Sequence, residues 1–282
     1  MQIREILSGG TVGLTPSEEK IAQVLLTDYP TSGLGTAASL AKKAGVSDPT
    51  VNRLVIKLGF TGYPDFQSRL LEEVEDRLRS PLSMMDTRPT SDADSAVRNY
   101  LQSASQALGD AKATAPQASY DRAVRLITEA RQILLVGGRF SGFLAGMLAG
   151  HLEQFRPNVT ALTALTARDF DRLVDLGRRD LLIAFDFRRY QTDVIGFTEQ
   201  AATTGARVLL FTDRWRSPAA TKADVVLVSP VEVNSPYDTM VPALAQVEAL
   251  VAQIVADHGP EVRRRIERIE IVRSTNRITG NS

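Results

Sequence analysis

Two sets of side chains in this 282-residue chain have types and spacings suited to chemistry. The first is Lys42, Lys43, Ser47, Thr50, Asn52, Arg53 and Lys57. Cations attract phosphate, while amide, hydroxyl and guanidinium groups read base edges. The second is the turn Gly137-Gly138-Arg139-Phe140-Ser141-Gly142, with Arg188, Arg189 and Thr192 in a later loop. A glycine turn feeding a helix N-terminus presents amides and a positive dipole end to an anion. Guanidinium groups bind phosphate or carboxylate bidentately. Plain strand–helix packing also uses such turns, and the arginines can instead pair with Asp186, Asp193 or Asp213. Groups for acid–base catalysis are sparse. His151 and His258 are the only histidines, and Glu153, Glu232 and Glu248 have no inferable pairing. No catalytic residue is assigned. There is no cysteine, which excludes disulfides, cysteine-ligated zinc and thiol catalysis. The turn reads G-G-x-x-x-G, not G-x-G-x-x-G, and no Walker A run is present. Neither a cofactor nor a metal is expected.

The elements that position the first set lie in Leu34–Tyr63. Ala37, Leu40, Ala41 and Ala44 recur at helical spacing, Gly45 suits a left-handed helix end, and Pro49 opens a second helix. The second helix, about Pro49 to Leu58, buries Val51, Leu54, Val55 and Leu58 and turns Thr50, Asn52, Arg53 and Lys57 outward. This is a helix-turn-helix, whose second helix can enter a DNA major groove. The chain carries 33 basic and 33 acidic residues, so the excess of Lys42, Lys43, Arg53 and Lys57 over Asp48 is local. Upstream, residues 1–14 read as a short lead, and Thr15-Pro16-Ser17-Glu18 forms a capping box. Downstream, Pro64 starts a helix with an acidic outer face of Glu72, Glu73, Glu75 and Asp76. Ser80–Asp94 reads as a linker, followed by a helix over about 93–111 with Val97, Leu101, Ala104 and Leu108 on its apolar side.

From Tyr120 strands alternate with helices. Gln132–Val136, Val159–Leu162, Asp180–Phe185, Arg207–Thr212 and Asp224–Val228 read as strands of a parallel sheet. Ligands bind outside the carboxyl ends of such strands, which puts Gly137–Gly142 and Asp186–Thr192 together. A long helix spans about Pro242 to His258, and the arginine-rich tail from Gly259 reads as a solvated helix. No signal-peptide pattern or long apolar run is seen, so a cytoplasmic protein without membrane association is expected.

Gly45-Val46-Ser47, Thr50-Val51, Arg53, Leu58-Gly59-Phe60, Gly62-Tyr63 and Phe66, with the α/β region that follows, resemble the RpiR/MurR family of bacterial transcriptional regulators. The resemblance covers about residues 15–260. It implies an α/β protein with an all-α N-terminal domain: a helix-turn-helix head, then a five-stranded parallel sugar isomerase (SIS) domain. The expected division is 1–80 DNA-binding domain, 81–118 linker and connecting helix, 119–262 SIS domain for effector binding and oligomerisation, and 263–282 tail. The implied partners are a double-stranded DNA operator, a small anionic effector such as a phosphosugar or sugar acid, and further copies in a homodimer or homotetramer. SIS domains usually carry S-x-S-G-x-T after the third strand, where this chain has Phe185-Asp186-Phe187-Arg188-Arg189-Tyr190-Gln191-Thr192. We therefore expect Arg188 or Arg189, with Arg139 and Ser141, to replace the hydroxyl cradle. A sugar-phosphate isomerase and a purely oligomerising SIS domain are the alternatives.

Overall fold

A computed structural model describes residues 3–8, 12–87, 95–114 and 116–277. The chain divides into two compact units, Met1–Arg79 and Ser80–Ser282.

The first unit is all helical: α1 (Ile3–Ser8), α2 (Pro16–Thr27), α3 (Thr31–Leu34), α4 (Ala37–Ala44), α5 (Asp48–Lys57) and α6 (Tyr63–Leu78). The capping box at Thr15 and Glu18 forms, with Pro16 in the first turn of α2. Thr36 caps α4, and Gly45 ends it at φ 64°, a conformation glycine adopts without steric cost. The Val46 amide then returns to Ala41 O, closing the turn before α5. Ile21, Leu25, Leu40, Val51, Leu54, Phe66 and Leu70 form the shared core. Gly33 allows α3 to approach α6, because a Cβ there would lie 2.4 Å from Leu70 Cδ1.

Two expectations are corrected here. The N-terminal lead contains α1, whose Ile3 and Leu7 enter the core. Glu73 is buried rather than part of an acidic outer face: its carboxylate accepts from the Ile3 amide at 2.9 Å and from the Tyr29 hydroxyl. Two donors compensate the burial of that charge.

The second unit contains α7 (Pro81–Thr87), α8 (Ala96–Thr114), α9 (Gln117–Glu129), β1 (Ile133–Gly137), α10 (Ser141–Phe155), β2 (Val159–Leu162), α11 (Ala167–Asp171), β3 (Leu181–Asp186), α12 (Thr192–Thr203), β4 (Arg207–Asp213), β5 (Val225–Ser229) and α13 (Val241–Thr275). The strands lie in the order β2-β1-β3-β4-β5, and all pairs are parallel. Alternate residues feed two cores. Ile133, Leu135, Ile183, Phe185, Leu209 and Phe211 face α9, α10 and α13. Leu134, Val136, Leu182, Ala184, Val208 and Leu210 face the side covered by α12. Burial of both faces explains the near-continuous apolar strand sequences.

Part of the expected linker is helical. Ser80 and Ser83 cap α7 reciprocally, the Ser83 amide donating to Ser80 Oγ at 3.1 Å and the Ser80 amide to Ser83 Oγ at 2.9 Å. Residues 88–94 lie outside the described ones. On α8 the buried face is Ala104, Ala107 and Ala111, whereas Val97, Leu101 and Leu108 are exposed. Small residues permit the close approach of α8 to α13, so the apolar stripe read from sequence is only partly the packed one. The tail is continuous with α13 across a kink at His258, beside Pro260. Val262 is buried and Arg265 donates to Glu153 O at 3.0 Å, which docks the start of the tail on α10.

Candidate functional site

Two sites emerge, one in each unit. In the first, α4 and α5 carry six of the seven residues singled out for DNA, and Ser47 stands in the turn between them at the N-cap of α5. Lys42 and Lys43 are exposed in the last turn of α4. Ser47 Oγ lies 2.9 Å from Thr50 Oγ1, and Arg53 Nη2 reaches Thr50 Oγ1 at 3.4 Å. Asn52 and Arg53 project outward because Val51, Leu54 and Val55 take the inward face. Ile56, 60% exposed, shares the outer face and was not assigned from sequence. Its signal was an apolar residue off the buried stripe; such a side chain can contact a thymine methyl.

Lys57 differs from the other cations. Its ammonium lies 2.7 Å from Glu18 Oε2, the same oxygen that accepts from the Thr15 amide at 2.8 Å. This hydrogen bond is the main cause holding the Glu18 carboxyl below its usual range. Lys57 thus ties α5 to the start of α2, and its ammonium is paired within the protein. The expected outcome is that Lys42→Ala or Lys43→Ala each reduces the slope of log affinity against log salt by about 1. Lys57→Ala should change that slope much less while lowering the melting temperature of the first unit. Filter binding across a salt series and calorimetry separate the two.

In the second unit the loop after β1 and the loop after β3 meet at the point where the strand order reverses, between β1 and β3. Ligands of open α/β sheets bind at such switch points. A Cβ on Gly137 would lie 2.6 Å from Ser141 O, so glycine is required for that close turn. Arg139, not a glycine, takes the left-handed conformation at φ 45°. Its Nη2 donates to Arg189 O at 2.7 Å, joining the two loops. Arg189 and Thr192 are exposed, Thr192 as the first residue of α12.

Ser141 and Arg188 are placed differently from expectation. Ser141 is buried, with Oγ 2.7 Å from Gly138 O and 2.8 Å from Phe185 O, so its one proton is shared between backbone carbonyls. Arg188 has a side chain only 2% exposed. Its Nε donates to Asp238 Oδ2 at 2.7 Å, its Nη2 donates to Asp238 Oδ1, and its guanidinium lies 4.3 Å from the Trp215 ring centroid. Both residues shape the loops from beneath. Asp213 accepts from the Arg188 amide, the Tyr190 hydroxyl at 2.7 Å and the Trp215 amide at 3.0 Å. Asp186 accepts from the Gln191 amide at 3.2 Å and from Ser217 Oγ. The acids ending β3 and β4 were legible as partners for the arginines, but Asp238 was not, because it lies 50 residues from Arg188.

Burial pushes the carboxyls of Asp186 and Asp213 up to about 6, and for Asp186 the neighbouring Asp213 adds to the rise. A folded-state value above the unfolded one means that the fold binds extra protons between about pH 4 and 6. Stability from these groups is therefore greatest at low pH and is lost as pH rises through about 6. One such group contributes about 1.4 kcal/mol between pH 7.5 and pH 5. The second unit should melt about 3–6 °C higher at pH 5 than at pH 7.5. Asp213→Asn should diminish that difference in a calorimetric pH series.

Comparison with known proteins adds two family matches. Residues 1–77 match the helix-turn-helix domain of the rpiR family, and residues 126–253 match the SIS domain. The chain belongs to the RpiR family of transcriptional regulators. It is 22% identical over 274 residues to the HTH-type transcriptional regulator HexR of Escherichia coli, covering 96% of this chain and 93% of that protein. It is 25% identical over 264 residues to HexR of Pseudomonas aeruginosa, covering 91% and 90%. Among solved structures, the NanR protein of Vibrio vulnificus, complexed with ManNAc-6P, superposes with a TM-score of 0.58 at 20% identity over 99% of both chains. The sugar isomerase domain of an RpiR transcription factor from Sphaerobacter thermophilus gives 0.60 at 24% identity, covering 62% of this chain and 98% of that one. This RpiR regulator therefore has the expected helix-turn-helix head and five-stranded parallel SIS fold. Among the described residues, no helix is long and apolar enough to cross a membrane.

Proposed function

We propose that this RpiR regulator binds an operator through α4 and α5 and responds to a small sugar phosphate held between the loops after β1 and β3. The observation carrying the effector reading is the meeting of Arg139 and Arg189 at the switch point. Arg139 and Arg189 supply charge, and Gly137, Gly138 and Thr192 line the approach. Ser141 and Arg188 act from below: Ser141 fixes the turn, and Arg188 holds its loop to Asp238 and Trp215. On the DNA side, Lys42 and Lys43 meet phosphates, Ser47 and Thr50 stand at the start of the recognition helix, and Asn52 and Arg53 read base edges. Lys57 keeps that helix seated. Helix-turn-helix proteins typically bind two half-sites as dimers, so the working form is a homodimer or homotetramer.

Support for a phosphosugar comes from this geometry together with the ligand in the NanR complex. No catalytic step is proposed, since neither His151 nor His258 belongs to the two loops. The test is a melting screen of the full chain with hexose and pentose phosphates, sugar acids and neutral sugars. A ligand at a hundred times its Kd stabilises by about 2.7 kcal/mol. The second transition should then rise by about 5–10 °C with sugar phosphates and stay fixed with neutral sugars. A shift with sugar acids alone would replace the phosphate reading.

A further inference from the structure

Gln191, the residue just before α12, has one polar atom that the loops leave unmet. Its backbone amide donates to Asp186 Oδ1 at 3.2 Å, and its Nε2 donates to Asp193 Oδ1 at 2.9 Å. Its Oε1 is buried and meets no hydrogen-bond donor among the described residues. The orientation of the amide follows from its neighbours. Turned over, Oε1 would face the Asp193 carboxylate, acceptor against acceptor. The oxygen lies over Gly138: a Cβ built there would be 2.4 Å from Oε1 and 2.8 Å from Cδ of Gln191. Gly138 therefore lets the amide lie across the turn, one residue from Arg139. A buried acceptor without a donor is unfavourable, and a group that supplies the donor recovers that cost on binding.

We propose that Gln191 determines effector specificity by accepting a hydrogen bond from a ligand hydroxyl near the anionic group held by Arg139 and Arg189. The inference rests on the proposed effector site and names a requirement beyond charge. A phosphate alone satisfies the arginines and leaves Oε1 unmet. A polyhydroxylated phosphate satisfies both. A site built to hydrogen-bond a hydroxyl rejects the analogue that lacks it, because its own buried polar atom then stays unpaired.

The experiment titrates the full chain with hexose 6-phosphates, methyl phosphate and inorganic phosphate. Calorimetry reads affinity, and the fluorescence of Trp215, the only tryptophan, follows the Arg188 loop beneath the site. Wild type is expected to prefer a hexose phosphate over methyl phosphate by about tenfold or more, the equivalent of one hydrogen bond. Gln191→Leu should reduce that preference to below about threefold while keeping affinity for inorganic phosphate. Its melting temperature should be unchanged or higher, because a buried unmet carbonyl has been removed. Gly138→Ala provides a second route: its Cβ displaces the amide with Gln191 intact, and discrimination should fall likewise. A preference that persists in both variants overturns the role of Gln191 and leaves the anion site standing. A lowered melting temperature with full discrimination in Gln191→Leu assigns the residue a structural role instead. No binding of any phosphate by wild type overturns the effector site itself, and this inference with it.

Discussion

Arg188→Ala is expected to destabilise the second unit by about 3–5 kcal/mol, the usual consequence of removing one partner of a buried ion pair. The Arg188 side chain is 2% exposed and the Asp238 side chain 14% exposed, so the pair is largely shielded from water. Alanine also removes the face packed on Trp215 and leaves the carboxylates of Asp238 and Asp213 in one neighbourhood without their cation. The loops after β3, β4 and β5 would each lose an anchor. The second melting transition should fall by about 6–20 °C, while the first unit melts as before. Asp238→Ala should cost a similar amount. The double variant should cost clearly less than the sum, because neither charge is then left unpaired. Arg188→Lys should recover only part, since an ammonium cannot bridge both carboxylate oxygens. A loss under 1 kcal/mol in Arg188→Ala would show that the side chain is not the hub described.

Arg53→Ala is expected to weaken operator binding by about 1–3 kcal/mol for each half-site, or roughly 5- to 150-fold. The side chain projects from the outer face of α5, and among the described residues its hydrogen bond is to Thr50, so folding should be unaffected. Specificity should relax at the base that Arg53 reads, whereas Lys42→Ala should weaken binding evenly across sequences. Electrophoretic shifts on a duplex selected by the chain, repeated with single-base variants, separate these patterns. Equal affinity of Arg53→Ala and wild type would remove α5 from the groove. A change in oligomeric state is read in parallel by ultracentrifugation, so that lost assembly is not taken for lost base contact.

Local patterns were the legible part of the chain. The capping box at Thr15 and Glu18, the glycine end of α4, the burial stripe of α5 and the five apolar strands all follow from interactions within a few residues. The meeting of the Gly137 and Arg188 loops also followed, because parallel β/α topology puts strand ends on one edge. Pairings between distant segments were not legible. Lys57 reads as a phosphate contact until Glu18 is seen 2.7 Å away. Glu73 reads as a solvated acid until α1 and Tyr29 close over it. Arg188 reads as a ligand group because Asp238 stands 50 residues off. Each is a charge whose compensation arises only on folding, and sequence periodicity carries no record of a partner's side chain. Arg139 and Gln191 illustrate the converse. Backbone geometry at φ 45° and an unmet carbonyl are properties of the assembled loops alone.

The most direct test of the central claim measures DNA affinity with and without effector. The full chain selects its duplex from a randomised pool, and anisotropy then follows binding of that duplex as the sugar phosphate active in the melting screen is added. Coupling of 1–3 kcal/mol is typical of linked sites, so the dissociation constant should change by about 5- to 150-fold. The duplex should alter effector affinity by the same factor, because linkage is reciprocal. Arg139→Ala should abolish the response without changing DNA affinity in the absence of ligand. A saturating effector that leaves DNA affinity unchanged would contradict the account, since a ligand binding both states equally shifts neither.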